Sequence, residues 1–138
     1  MKKDVLALIR YRLQEADESI EEAKVLLREG MSYRAVINRL YYAMFYSVLA
    51  LLQSRQMGTS KHFGAISLFD KEFIKTGMLD KEMSKTLHRA FELRQKGDYI
   101  EQPDISKKDV EEILPKAVDF VCKVRDYLIV QIPSDGLI

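Results

Sequence analysis

The sequence predicts an all-α protein, an up-and-down bundle of four to five helices built as a single domain. Three observations carry this. Apolar residues recur at steps of three and four along most of the chain, the spacing that turns one stripe of a helix toward a core. Only 3 prolines and 6 glycines punctuate 138 residues, so long helices are permitted almost everywhere. No segment alternates apolar and polar residues as a half-buried strand does, and the length suits one core without disulfide staples.

The elements follow in order. Leu6, Ile9, Leu13, Ala16, Ile20, Ala23 and Leu27 alternate three- and four-residue steps, and Glu15, Asp17, Glu18, Glu21 and Glu22 make the solvated side. Gly30 ends this helix. Ser32 is placed to cap a second one, YRAVINRLYYAMFYSVLALLQS, which is apolar almost all round. A helix without a polar face belongs at the centre, and here one flank is expected to pass to a second subunit. The stretch RQMGTSKH reads as loop. A third helix over FGAISLFDKEFIKT turns Ile66, Phe69 and Phe73 inward and stops at Gly77. Asp80 caps a fourth, KEMSKTLHRAFELRQK, with Met83, Leu87, Ala90 and Leu93 or Arg94 in register. Gly97 ends it, leaving Arg94 in its last turn. After the connector GDYIEQPDIS, Ser106 and Asp109 resemble a capping box. The last helix spans about residues 107–130, with a kink expected at Pro115. The helical domain is thus 1–130, and 131–138 reads as a C-terminal tail.

Composition narrows the function. The net charge is +1, from 22 basic and 21 acidic residues. This argues against the broad basic footprint of a duplex-binding domain but leaves room for a local anion site. The single cysteine, Cys122, excludes an intramolecular disulfide and any multi-cysteine metal site. Inside an apolar helical pattern it is expected as a small buried hydrophobe. The opening MKKDVLALIRYRLQEADE breaks its apolar run at Arg10 and Arg12, so it reads as helix and not as a leader. No run of about 18 uninterrupted apolar residues occurs, so no membrane span is expected and the reading is cytosolic.

Generic catalytic motifs are missing: no phosphate loop, nucleophile elbow or HExxH. A di-metal bundle needs Glu three residues before His, but Thr59 precedes His62 and Lys85 precedes His88. No metal or cofactor is called for. Three stretches nevertheless carry more detail than a core requires. NRLYYAMFY, residues 38–46, sets Asn38 and Arg39 before a crowd of aromatics that includes Tyr42. Taken alone it is most simply aromatic core with a satisfied polar residue. Lys61 and His62 precede a helix start, where basic groups beside free amides can bind an anion, although a solvated loop explains them too. In ELRQKGDY, Arg94 either complements the carbonyl end of its helix or serves a site with Asp98 and Tyr99.

Together and in this order, these stretches resemble the HEPN family. NRLYYAMFYSVLALL is similar to the YYAxFY helix of its short stand-alone chains. KHFGAISLFDKEFIKTG and LRQKGDY are similar to that subclass's second and closing motifs, so the resemblance spans about residues 5–128. It implies an up-and-down helical homodimer. It also implies either a metal-independent ribonuclease or a toxin encoded beside a small nucleotidyltransferase that acts as antitoxin. Active members carry R-x4-6-H. Arg94 matches the arginine, but Tyr99, Ile100 and Glu101 occupy the histidine's positions.

Cleaving RNA through its 2′-OH needs groups that take and give a proton near working pH. Histidine, at about 6.5, does both, whereas tyrosine, at about 10, is ionised in about one molecule per thousand at pH 7. Asp98 as base, His62 or His88 arriving from another helix or subunit, or a tyrosine activated by Arg94 are the replacements open to this chain. The leading expectation is a toxin-like or accessory subunit that works with a nucleotidyltransferase and binds a nucleotide or RNA phosphate at Arg94. Asn38, Tyr42, Lys61 and His62 are the ligand-binding candidates, and Arg94, Asp98 and Tyr99 the catalytic ones. The alternatives are an active ribonuclease and a non-catalytic interaction module.

Overall fold

The computed structural model describes residues 2–58, 61–97 and 105–132. Among these there are five α-helices and no strand: α1 Lys3–Arg28, α2 Tyr33–Ser54, α3 His62–Phe69, α4 Lys81–Gly97 and α5 Lys107–Gln131. α2 packs against all four others. Its all-round apolar sequence is therefore consumed inside one chain, with Val36, Ile37, Leu40, Tyr41, Ala43, Met44, Val48, Ala50 and Leu51 fully buried. By length and mean hydropathy α2 would also be long and apolar enough to cross a membrane, but 67% of that window is buried inside the bundle. The surplus apolar face that motivated a second subunit is thus mostly covered by α1, α3, α4 and α5. Among the half-buried residues of α2, Asn38, Tyr42, Tyr46, Leu49 and Gln53 share one stripe.

The helix ends obey local chemistry. At the end of α1, Gly30 takes φ +71°, while Met31 N–H donates to Leu26 at 2.9 Å and Gly30 N–H to Leu27 at 3.2 Å. This is the paired closure a left-handed residue allows. α2 ends in the same way on a residue without glycine's freedom. Gln56 sits at φ +56°, and Met57 N–H donates to Leu52 at 2.8 Å. Ser32, Asp80 and Ser106 cap α2, α4 and α5 through their side chains, and Ser106 with Asp109 completes the capping box.

Two expectations change. The third helix starts at His62 and is not a single α-helix, because Asp70–Ile74 forms a π-helical turn before Gly77. That turn keeps Phe69 and Phe73 both buried. Pro115 lies inside α5, as the sequence placed it, on the exposed side of the helix. Cys122 is exposed rather than buried. The core stripe of α5 passes through Ala117, Phe120, Val121, Val124 and Leu128, which turns position 122 outward. α5 ends at Gln131, and Ile132, just past it, is buried at 4% exposure.

Candidate functional site

Asn38, Tyr41, Tyr42 and Phe45 stand at i, i+3, i+4 and i+7 on α2, so they share one stripe of the helix. α3 and α4 meet that stripe from two sides. From the last turn of α4, Arg94 Nη2 donates to Tyr42 Oη at 3.2 Å. Its guanidinium carbon lies 5.3 Å from the centroids of both the Tyr41 and the Tyr42 rings. Cation–π contacts of this kind contribute about 0.5–2 kcal/mol each, depending on desolvation. Arg94 is half-buried, held from one side and open on the other.

The Tyr42 ring carries a second cation, with Arg39 5.1 Å from its centroid. Asn38 orients that guanidinium by accepting from Arg39 Nη2 at 2.8 Å and Nε at 3.2 Å. The remaining edge, Nη1, meets Glu22 of α1 at 3.5 Å. A cleft of about 380 Å³ opens here, lined by Leu26, Ser32, Arg34, Asn38, Arg39 and Arg94. A wider groove of about 760 Å³ lies between the π-turn and α4, but no member of the arginine and aromatic cluster lines it.

His62 enters from the start of α3. Its ring stacks on Phe45 at 4.1 Å with 6° between planes, and it meets Tyr42 edge-on at 5.6 Å. Tyr41 Oη and His62 Nδ1 are 2.9 Å apart. Burial, and then the Arg94 cation, hold the His62 pKa below its ordinary value. Burial raises that of Tyr41, partly offset by Arg94. At neutral pH the imidazole and the phenol are therefore both uncharged. A hydroxyl can donate or accept, so Tyr41 can hold either tautomer of His62, leaving Nε2 free to take a proton or to give one.

The structure thus unites four of the expected residues, Asn38, Tyr42, His62 and Arg94, in one cluster. Lys61, next in sequence to His62, is exposed at the start of α3. Asp98 and Tyr99 lie outside the described residues. His88 is elsewhere, with Nε2 2.6 Å from Asp70 across the π-turn, where Asp70 also accepts from Ser84 at 2.6 Å. Tyr41, Phe45 and Arg34 are participants that the sequence did not single out, and Arg39, noted beside Asn38, was not among the ligand-binding candidates. The signal for Tyr41 and Phe45 was present in the i, i+3, i+4, i+7 spacing, but core packing uses the same spacing. Among the described residues no three His, Cys, Asp or Glu side chains converge as a metal set would.

Comparison with known proteins is consistent across the chain. The HEPN domain model matches residues 9–127. A Thermotoga maritima "UPF0332 protein" is 40% identical over 114 residues, covering 83% of this chain and 86% of its own. Two Methanocaldococcus jannaschii proteins are also similar. "Putative toxin MJ0142" is 37% identical, covering 85% of this chain and 79% of its own. "Putative toxin MJ0605" is 30% identical, covering 93% and 94%.

Proposed function

This chain belongs to the HEPN domain family, and on that premise we propose that it is a toxin-like subunit working with a small nucleotidyltransferase and binding a nucleotide or RNA phosphate at Arg94. The toxin setting is supported by the names of the two Methanocaldococcus relatives. The phosphate reading rests on one observation above all. Arg94 is anchored by Tyr42 Oη and two ring faces yet lines an open cleft. A planar guanidinium fixed in this way is preorganised to give parallel hydrogen bonds to a phosphate. Calorimetric titration of the purified protein with AMP tests it. Wild type binds, Arg94→Ala does not, and Arg94→Lys recovers little because an ammonium lacks the fork. Equal binding by all three would discard the reading. The partner step has its own test. Incubation with the nucleotidyltransferase and a labelled nucleoside triphosphate should label wild type but not Tyr99→Phe, since Tyr99 stands where active relatives keep histidine.

A second reading, metal-independent ribonuclease, is favoured by His62, which reaches the Arg94 cluster from another helix through Tyr41 and Tyr42. In that reading His62 Nε2 takes the 2′-hydroxyl proton as the 2′-oxygen bonds to phosphorus, and Arg94 stabilises the charge on the phosphorane. The proton then returns from His62 to the 5′-oxygen as its bond to phosphorus breaks. Metal-free cleavage of labelled RNA, lost in both His62→Gln and Arg94→Ala, would establish it. No cleavage by wild type leaves the binding subunit. The proposal includes a homodimer through α2 and α4, supported by the half-buried Tyr46, Leu49 and Gln53 of α2.

A further inference from the structure

The wider groove, between the π-turn and α4, carries charges that the fold itself does not use. Lys71, Lys75, Lys81 and Lys85, all exposed, line its volume of about 760 Å³ together with the half-buried Ile74. On other helices surface charges are set against opposite ones: Lys24 meets Glu21 on α1, and Lys107 meets Glu111 and Lys123 meets Asp119 on α5. Around the groove this pattern fails. Among the described residues Lys71, Lys75 and Lys81 meet no carboxylate, and Lys85 reaches Glu82 at 3.3 Å with the two side chains 73% and 71% exposed. Asp70, the carboxylate in the lining, is already occupied by His88 Nε2 and Ser84 Oγ, each at 2.6 Å. Lys81 and Lys85 stand four positions apart on α4 and repel each other. Lys81 also opens that helix, where the dipole disfavours a cation. Lys71 and Lys75 repeat the spacing across the π-turn. In a chain of net charge +1, these four cations oppose the local helices instead of stabilising them. We infer that the groove docks an acidic amphipathic helix of a partner protein.

The chemistry of the lining selects that occupant. Lysine stems are aliphatic while their ammonium heads stay in water, so Ile74 and four stems give an apolar lining below a cationic rim. A helix with apolar residues at steps of three and four, flanked by glutamates or aspartates, matches both at once. Its carboxylates four positions apart recur at about 6 Å, the same helical repeat that spaces the lysines of each pair. A polynucleotide is the poorer match. Among the described residues the lining has no aromatic ring for a base to stack on and no arginine fork for a phosphate. Arg94, Tyr42 and His62 do not line this groove, so the inference stands apart from the phosphate reading.

The full chain is titrated by fluorescence anisotropy with a labelled helical peptide of leucine and glutamate, leucine standing at every third or fourth position. A counterpart with glutamine for glutamate serves as the uncharged probe. Wild type should bind the acidic peptide and not the counterpart. Lys71→Gln with Lys75→Gln, and separately Lys81→Gln with Lys85→Gln, should each weaken binding about tenfold, while Arg94→Ala binds as wild type does. Urea melts of both double variants should match or exceed wild type, because the charges removed are exposed and mutually repulsive. No binding by wild type, undiminished binding by both double variants, or equal binding of the glutamine peptide would each overturn the assignment. Melts well below wild type would place the lysines in the fold and overturn it as well. Displacement of the peptide by oligo-uridylate at matched charge would assign the groove to a polynucleotide, and displacement by phosphatidylserine vesicles to a membrane surface. Either result would replace the docked helix.

Discussion

At the scale of single residues, His62 reports on the cluster. Its pKa is depressed by burial and by Arg94, so Arg94→Ala should move it upward, toward the ordinary value. An NMR titration of the imidazole resonances checks this, and an unchanged value would mean that the two groups do not sense each other. The same shift sets a pH dependence. The folded protein binds the His62 proton less readily than the unfolded chain, so this contribution to stability is complete above about pH 6.5. It declines as pH falls from there through the folded-state pKa, and denaturant melts of wild type against His62→Gln should diverge in that window. Tyr41→Phe removes the hydroxyl facing Nδ1 and should cost about 1 kcal/mol of stability in the same melts. Arg94, His62 and Asn38 could be picked from the sequence because polar groups stand out in apolar surroundings. Tyr41 could not, because a tyrosine that orients a histidine and one that only fills a core are written identically.

At the scale of elements, the ends carry the energetics that local sequence can change. Gln56 holds the left-handed closure of α2 at φ +56°, a conformation that costs a side-chain-bearing residue about 1 kcal/mol. Gln56→Gly should therefore raise stability by about 1 kcal/mol in a urea melt, less the added freedom of the unfolded glycine. At the other extreme, Asp80 caps α4 by accepting from Met83 N–H at 3.1 Å and binds Lys123 at 2.8 Å. Removing the cap in Asp80→Ala should cost about 1 kcal/mol. Its pKa is lowered chiefly by the Lys123 hydrogen bond, so its contribution is present above the unfolded carboxylate value of about 3.9. That contribution is lost as pH drops through the lower folded value. Gly30, Ser32, Gly77, Asp80 and Ser106 were readable as punctuation because their side chains, or the lack of one, do the capping. The closure at Gln56 and the π-turn at Asp70–Ile74 were not. Neither is preferred by its own residues, and both are imposed by what the neighbouring helices must bury.

At the scale of the whole molecule, α2 is the axis on which the other helices are laid. The proposed dimer would bury the half-buried Tyr46, Leu49 and Gln53 of α2, and light scattering at micromolar concentration should give twice the 16.0 kDa chain mass. Leu49→Arg, at the middle one of these, should return the single-chain mass without unfolding the protein. A monomeric wild type would remove the dimer from the proposal. The sequence by itself determined the helices, their caps and the all-α class, because periodicity and capping are local properties written within a few residues. The same residues determined that the net charge is only +1, since charge is a sum over the chain. Only the tertiary structure decided which residues form the site. Tyr42, His62 and Arg94 lie on three helices, and the contacts joining them depend on crossing angles set by the whole core. Only the tertiary structure, too, turned Cys122 to solvent and spent the apolar surplus of α2 within one chain. Burial is a property of the packed bundle and not of any one helix.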